Sequence, residues 1–170
     1  MTSNFVVLFA AVSLPSYRMG MSPVIREADP EIDWLTGIWP IFQAVLAAED
    51  SYPFPADIDE PTARNYWLQP PPAKVFVAVQ NDNGAVLGTS LVKANQPGFG
   101  AHVANAAFMV AATARGQGVG RALAEHALAW ARDAGFAAIQ FNYVVSTNTG
   151  AVVLMLNRNR ARDRARSLLI

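Results

Sequence analysis

An α/β fold, with one sheet whose strands alternate with helices, is what this sequence predicts, and three observations carry the prediction. Runs rich in β-branched residues at 75–80, 86–92 and 103–110 are interleaved with segments of helical periodicity. A glycine-rich turn joins the last of these runs to an Ala- and Leu-rich helical segment, and a further apolar run follows at 137–145. The chain is 170 residues long and 52% hydrophobic, a size at which one domain buries roughly 70% of its unfolded surface.

Residues 1–21 precede this pattern. Residues 5–14 are apolar, but they make up only about half of the roughly 20 residues a membrane-crossing helix needs. No Lys or Arg stands before them, and Ser13-Leu14-Pro15-Ser16 is a poor match to a signal-cleavage site. With Met19 and Met21 just ahead of the first strand, the segment reads as an N-terminal extension outside the native domain, and the expected location is cytoplasmic. Val24, Ile25 and Arg26 form the first strand, after which Asp29-Pro30 supplies a cap and a first-turn proline. Ile32, Leu35, Ile38, Phe42, Val45 and Leu46 recur at three- and four-residue intervals and predict one buried helix face, which Pro40 must bend or split. Residues 51–73 are rich in proline and carry Tyr52, Phe54, Tyr66 and Trp67, an ordered loop with a short helix at 62–68, of the kind that shapes a pocket.

Asn81-Asp82-Asn83-Gly84 joins two of the β-branched runs into a hairpin. The helical segment at 120–133 ends at Gly135, and Phe136 directly behind it fits the apolar contact of a glycine-terminated helix.

Composition removes several chemistries. There are no cysteines, hence no disulfide, thiolate nucleophile or Cys-ligated metal, and two histidines cannot build a three-His zinc site. Thirteen basic and thirteen acidic residues balance, which predicts no general attraction to nucleic acid or to an anionic membrane. At 15% charged residues, against about 25% in an average domain, the surface is thinly charged and part of it is suited to another subunit, as in a homodimer, without fixing the oligomeric state.

The chemistry lies in Arg115-Gly116-Gln117-Gly118-Val119-Gly120, between a predicted strand and a predicted helix. Three glycines in five residues let the main chain turn successive N–H groups toward one point. A helix N-terminus adds about half a positive charge there, so the natural occupant is a phosphate or pyrophosphate, with Arg115 adding a charge-assisted contact. A nucleoside-triphosphate loop needs Lys and then Ser or Thr after its last glycine, where this chain has Arg121-Ala122. A dinucleotide fingerprint needs G-x-G-x-x-G and an acid about 20 residues on; the spacing here is G-x-G-x-G, and 137–145 contain no acid. What remains is Arg/Gln-x-x-Gly-x-Gly/Ala, met by Arg115, Gly118 and Gly120, which resembles the pyrophosphate loop of the GNAT acetyltransferase superfamily.

The resemblance covers residues 22–152. Phe108-Met109-Val110 is similar to that family's fourth strand, 137–145 to its fifth, and Ser146-Thr147-Asn148-Thr149-Gly150-Ala151-Val152 to the start of the next helix. It implies a central, mostly antiparallel sheet flanked by helices. It also implies transfer of an acetyl group from acetyl-CoA to a primary amine, on a small molecule or a protein, by direct attack in a ternary complex. In the family the pantetheine arm lies between the splayed fourth and fifth strands. The implied contacts are the main chain of Met109 and Val110 for that arm, then Arg115, Gly116, Gln117, Gly118, Val119, Gly120 and Arg121 for the pyrophosphate, with Asn148 beyond.

No general base stands out. An alkylammonium with a pKa of about 10.4 must lose a proton before it attacks. His102 and Asn105 lie where some members place a carboxylate, yet neither is one; Glu49 and Asp50 read as the solvated end of a helix, and Glu125 as an ordinary surface partner of Arg121. The chain also departs from the family. Met155 stands where a tyrosine serves as general acid, and a thioether has no proton to give. Residues 153–170, with Arg158, Arg160, Arg162, Arg164 and Arg166, form a divergent segment without the family's Gly-Phe, and the last strands of the fold are expected to be missing. The arginines read as a solvated helix or frayed tail rather than a nucleic-acid contact. A coenzyme-A-binding module or partner subunit without turnover therefore stays open beside the enzyme.

Overall fold

The computed structural model describes residues 23–48, 52–81 and 83–141. The expected extension at 1–21, the candidates Glu49, Asp50 and Asn148, Met155 and the segment 153–170 lie outside the described residues.

Five strands make one sheet in chain order: β1 (Val24–Glu27), β2 (Lys74–Val79), β3 (Val86–Ala94), β4 (Val103–Val110) and β5 (Ala138–Gln140). The first four pair antiparallel, and β5 joins β4 in parallel, so the sheet is mixed and mostly antiparallel. Alternation sorts its side chains into two apolar layers. Val75, Val77, Leu91 and Met109 pack with the first helices of the chain, while Phe76, Val92 and Ala106 pack beneath the third. The β2–β3 hairpin closes where Gly84 takes a φ of +68° and Gln80 N–H donates to Ala85 O at 2.9 Å.

The first helix departs from its sequence pattern. Asp29 caps it as expected, accepting from the amides of Glu31 and Ile32 at 2.9 and 3.2 Å. Ile32 and Leu35, expected in the core, are 62% and 64% exposed, and Trp34, 1% exposed, is buried instead. The cause is a π-helical turn over Trp34–Ile38, closed by the Trp39 amide on Trp34 O. Its wider turn resets the helical phase, so that Trp34 and Ile38 line up with Ile41, Phe42 and Val45 of α1 (Trp39–Ala47). Pro40, which has no amide to give, falls in the first turn of α1, where none is required. Gly37 is obligatory in this turn, since a Cβ there would stand 2.4 Å from Val86 Cγ2.

Helix α2 (Glu60–Trp67) is capped by the Asp59 carboxylate on the Thr62 amide at 2.7 Å. Helix α3 (Val119–Asp133) buries Val119, Leu123, Ala124, Ala127 and Ala131 against β2, β3 and β4. It stops at Gly135, φ +86°, with Phe136 N–H on Ala131 O (2.9 Å) and Gly135 N–H on Arg132 O (3.0 Å), while Phe136 packs on Trp130. Of the strand expected at 137–145, Ala138–Gln140 is paired, and 142–145 lie outside the described residues.

Two polar groups in the layer under α3 have no partner among the described residues. Ser90, 0% exposed between its cross-strand neighbours Phe76 and Phe108, has no partner for its hydroxyl. Ser90→Ala removes an unmade bond together with the group that lacks it, and is expected to raise unfolding free energy by about 1 kcal/mol, read from the urea midpoint at unchanged slope. The His126 ring lies 4.5 Å from that of Phe76 with Nδ1 buried and unpaired, and burial pushes its pKa below the ordinary 6.5. Because the unfolded chain binds that proton more readily, the stability His126 permits is fully present above pH 6.5 and lost as pH falls below it. His126→Leu should flatten the fall in unfolding midpoint measured between about pH 7 and pH 5.

Candidate active site

The glycine-rich turn is seated by the strand before it and the helix after it. A short 3-10 turn over Ala112–Ala114 leaves β4, Arg115 is extended, and Gly116 and Gly118 follow with φ of +76° and +79°. Two left-handed residues separated by one make the main chain reverse its amides, a conformation that any L side chain would strain. The Gln117 amide turns back onto Ala114 O at 3.3 Å. Gly118 is the N-cap of α3 and offers no side chain to the first turn, so the amides of Gly118, Val119, Gly120 and Arg121 have no partner among the described residues. They form a cluster of donors at the positive end of a fifteen-residue helix, a concavity for an anion.

Arg115, Gly116, Gln117 and Gly118 are exposed, and no partner holds the Arg115 guanidinium among the described residues. The Arg121 side chain is engaged, its Nε donating to Glu125 Oε1 at 2.8 Å across one helical turn. Arg121 thus presents its main-chain amide to the concavity, and Glu125 is the ion-pair partner its spacing predicts.

The turn lies close to the sheet because of Gly88, which sequence reasoning passed over. A Cβ on Gly88 would stand 2.9 Å from Met109 O and 3.1 Å from both Val119 Cγ1 and Leu123 Cδ1, so its hydrogen lets the first turn of α3 settle onto β3 and β4. No motif marks it; a glycine inside a β-branched run was the available signal.

Strand β4 supplies the second part of the site. Strand β5 pairs with β4 only at Val103, Ala104 and Asn105, where Asn105 Nδ2 also donates to Gln140 O at 3.0 Å. From Ala106 to Val110 that edge has no strand partner among the described residues. Antiparallel pairing aims alternate residues in opposite directions. Asn95 N–H on Val103 O (2.8 Å) and Ala111 N–H on Leu87 O (2.9 Å) fix the phase, so Met109 turns its main chain toward Thr89 of β3. Phe108 and Val110 turn theirs to the open edge. Of the expected pair, Val110 therefore faces the splay and Met109 does not; Phe108 takes its place. The Phe108 carbonyl already accepts a bond from the Tyr52 hydroxyl at 2.9 Å.

His102 stands in the turn before β4 with Nδ1 2.8 Å from Phe99 O, six residues and about 20 Å along the strand from Phe108. It is an exposed turn residue. Among the described residues there is no cluster of His, Cys, Asp or Glu suited to a metal, and no helix long and apolar enough to cross a membrane.

Residues 39–156 match the model of the acetyltransferase (GNAT) family. The N-acetyltransferase aca1 of Schizosaccharomyces pombe is 36% identical over 78 residues, which are 46% of this chain and 37% of that protein, so the match spans little more than a third of this curated relative. A GCN5-related N-acetyltransferase from Kribbella flavida is 44% identical with a TM-score of 0.73, over 78% of this chain and 79% of that one. A phosphinothricin acetyltransferase from Sinorhizobium meliloti, solved with acetyl-CoA, is 17% identical with a TM-score of 0.68 over 79% of this chain and 72% of its own, a likeness of fold.

Gly88→Ala should lower unfolding free energy by about 1–3 kcal/mol, since the methyl meets a main-chain oxygen and two packed side chains. Gly120→Ala, whose Cβ would make an ordinary 3.5 Å contact with Val110 Cγ2, should be neutral or slightly stabilising in the same urea titration.

Proposed function

The chain belongs to the acetyltransferase (GNAT) family, and from that premise we propose that it transfers an acetyl group from acetyl-CoA to a primary amine by direct attack within a ternary complex. One observation carries the reading: among the described residues, four amides at the N-terminus of α3 and the Arg115 guanidinium have no partner, and the edge of β4 that leads to them has no strand beside it from Ala106 to Val110. The fit to the coenzyme is chemical. The diphosphate needs converging N–H donors and positive potential, and the turn has both, with the space beside Gly116 open: nothing lies within 4 Å of where its Cβ would be. The arm carries amides that pair as a strand does, and the outward groups of Phe108 and Val110 are in phase to receive them.

Acetyl-CoA supplies an activated thioester when bound. The work of this chain is then to hold and orient. The turn at 115–121 anchors the diphosphate, the β4 edge fixes the arm, and the Val110 N–H is the donor available where negative charge develops on a carbonyl oxygen. None of these roles needs a special side chain except that of Arg115. The acceptor, a small amine or a protein amino group, arrives as an ammonium ion and must give up a proton, either to water or to a group of the chain.

Titration calorimetry with acetyl-CoA tests this reading. The parent is expected to bind; Gly118→Asp, which sets a carboxylate and a strained φ at the diphosphate, should weaken binding by about a hundredfold or more, and Arg115→Ala by about tenfold. Unchanged binding by either variant removes the site assignment. Thiol release across a panel of amines, amino acids and peptides then decides turnover, and tight coenzyme binding with no release on any of them would mark a binding module instead.

A further inference from the structure

We infer that Tyr52 is a positioning residue for acetyl transfer: its hydroxyl, donating to the Phe108 carbonyl, ties the loop at 52–59 to the edge along which the coenzyme arm would lie. The inference rests on the proposed function above and adds to it which loop stands beside the acceptor and what holds it there.

Helix α3 covers one face of the sheet, and the diphosphate turn opens at its end. The other face is the one occupied by α1 and α2. There, among the described residues, the Tyr52 side chain is bonded to the β4 edge itself, which puts the loop at 52–59 beside the path of the arm. Its ring packs edge-on against Trp67 with centroids 6.3 Å apart. Trp67 Nε1 in turn donates to Thr89 Oγ1 at 3.0 Å, and that hydroxyl donates to Phe76 O at 3.0 Å. The aromatic loop is thereby fastened to β4 by the Tyr52 bond and α2 to β3 by the buried Trp67 bond, the two joined by the ring contact, while Thr89 ties β3 on to β2. Fastening of this kind sets an acceptor wall to within the fraction of an ångström that a bimolecular attack demands.

The chemistry of the bond also fits the role. A carbonyl oxygen has two lone pairs, and Tyr52 uses one, which leaves the other for a donor lying along the edge. Both bonds share one oxygen, so a donor arriving at the edge is felt by the phenol and through it by the loop. Burial pushes the phenol pKa well above its usual value, so Tyr52 remains a proton donor at any physiological pH.

Tyr52→Phe keeps the ring and deletes the bond. Hydrogen exchange of the amides at 52–59 is to be followed with and without saturating coenzyme A, alongside calorimetry and thermal unfolding. In the parent, coenzyme A is expected to slow exchange in that loop by about tenfold; in Tyr52→Phe the slowing should fall to less than about twofold, with coenzyme affinity kept within about threefold and the unfolding midpoint within about 5 °C. With any amine that releases thiol, KM for the amine should rise about tenfold while KM for acetyl-CoA stays put. Equal slowing in parent and variant, or a parent loop that does not respond to coenzyme A, overturns the inference. So does a variant that loses coenzyme binding or stability outright, because Tyr52 would then be structural. A parent that fails to bind coenzyme A in calorimetry brings down the proposed function first, and this inference with it.

Discussion

The phase of β3 against β4 is the constraint on which the site depends. Two bonds at the ends of the pair, Asn95 N–H on Val103 O and Ala111 N–H on Leu87 O, decide which residues of β4 point their main chain inward and which outward. A slip of one residue would turn Met109 to the edge, withdraw Phe108 and Val110, and reverse every side chain between the two apolar layers. The apolar pattern forbids that slip, because Met109, 2% exposed, and Ala107 belong to the layer over α1, and Ala106 and Phe108 to the layer under α3. The free edge is as specific as the core that sets it.

From that edge the chain must pass into a helix whose first amides stay free, and packing makes this possible. Gly88 lets the start of α3 lie against β3 and β4, Val119 and Leu123 anchor the first turn in the core, and the capping bonds at Gly135 and Phe136 hold the other end. A helix whose N-cap is glycine rather than Ser, Thr, Asn or Asp forgoes only a few tenths of a kcal/mol of local stability. Here that loss is offset by tertiary burial along the whole α3 face, and the donors left free are those an anion can use.

How much of this the sequence disclosed follows from which kind of atom does the work. The glycine-rich turn was legible as a turn because its φ of +76° and +79° require glycine, and glycine spacing is visible in one dimension. The hairpin, the α3 face and its Gly135-Phe136 stop were legible for the same local reasons. That the Met109 main chain points to β3 and those of Phe108 and Val110 to the edge was not legible, because hydrophobicity marks a strand without saying where its amides point; only the pairing phase does, and that is non-local. Ile32 and Leu35 were misjudged because a π-helical turn changes the period on which the reading relied. Tyr52 and Gly88 carry no motif at all: one acts through a carbonyl 56 residues away, the other through the absence of a methyl.

A chain with no net charge can still gather positive potential locally, and the arginines show how. Arg26 is bidentate to Asp33, whose carboxyl it holds below the usual range; that carboxylate is buried, so breaking the pair would strand a charge, and Arg26 is committed to structure. Arg121 pairs with Glu125 at the surface, both side chains about half exposed, and such a pair is worth roughly 0.3–0.5 kcal/mol. Arg115 alone of these three has no partner for its guanidinium among the described residues, and it stands beside the positive end of α3. The positive potential there rests on one side chain close to fixed amides, a local arrangement that overall charge balance neither reveals nor prevents.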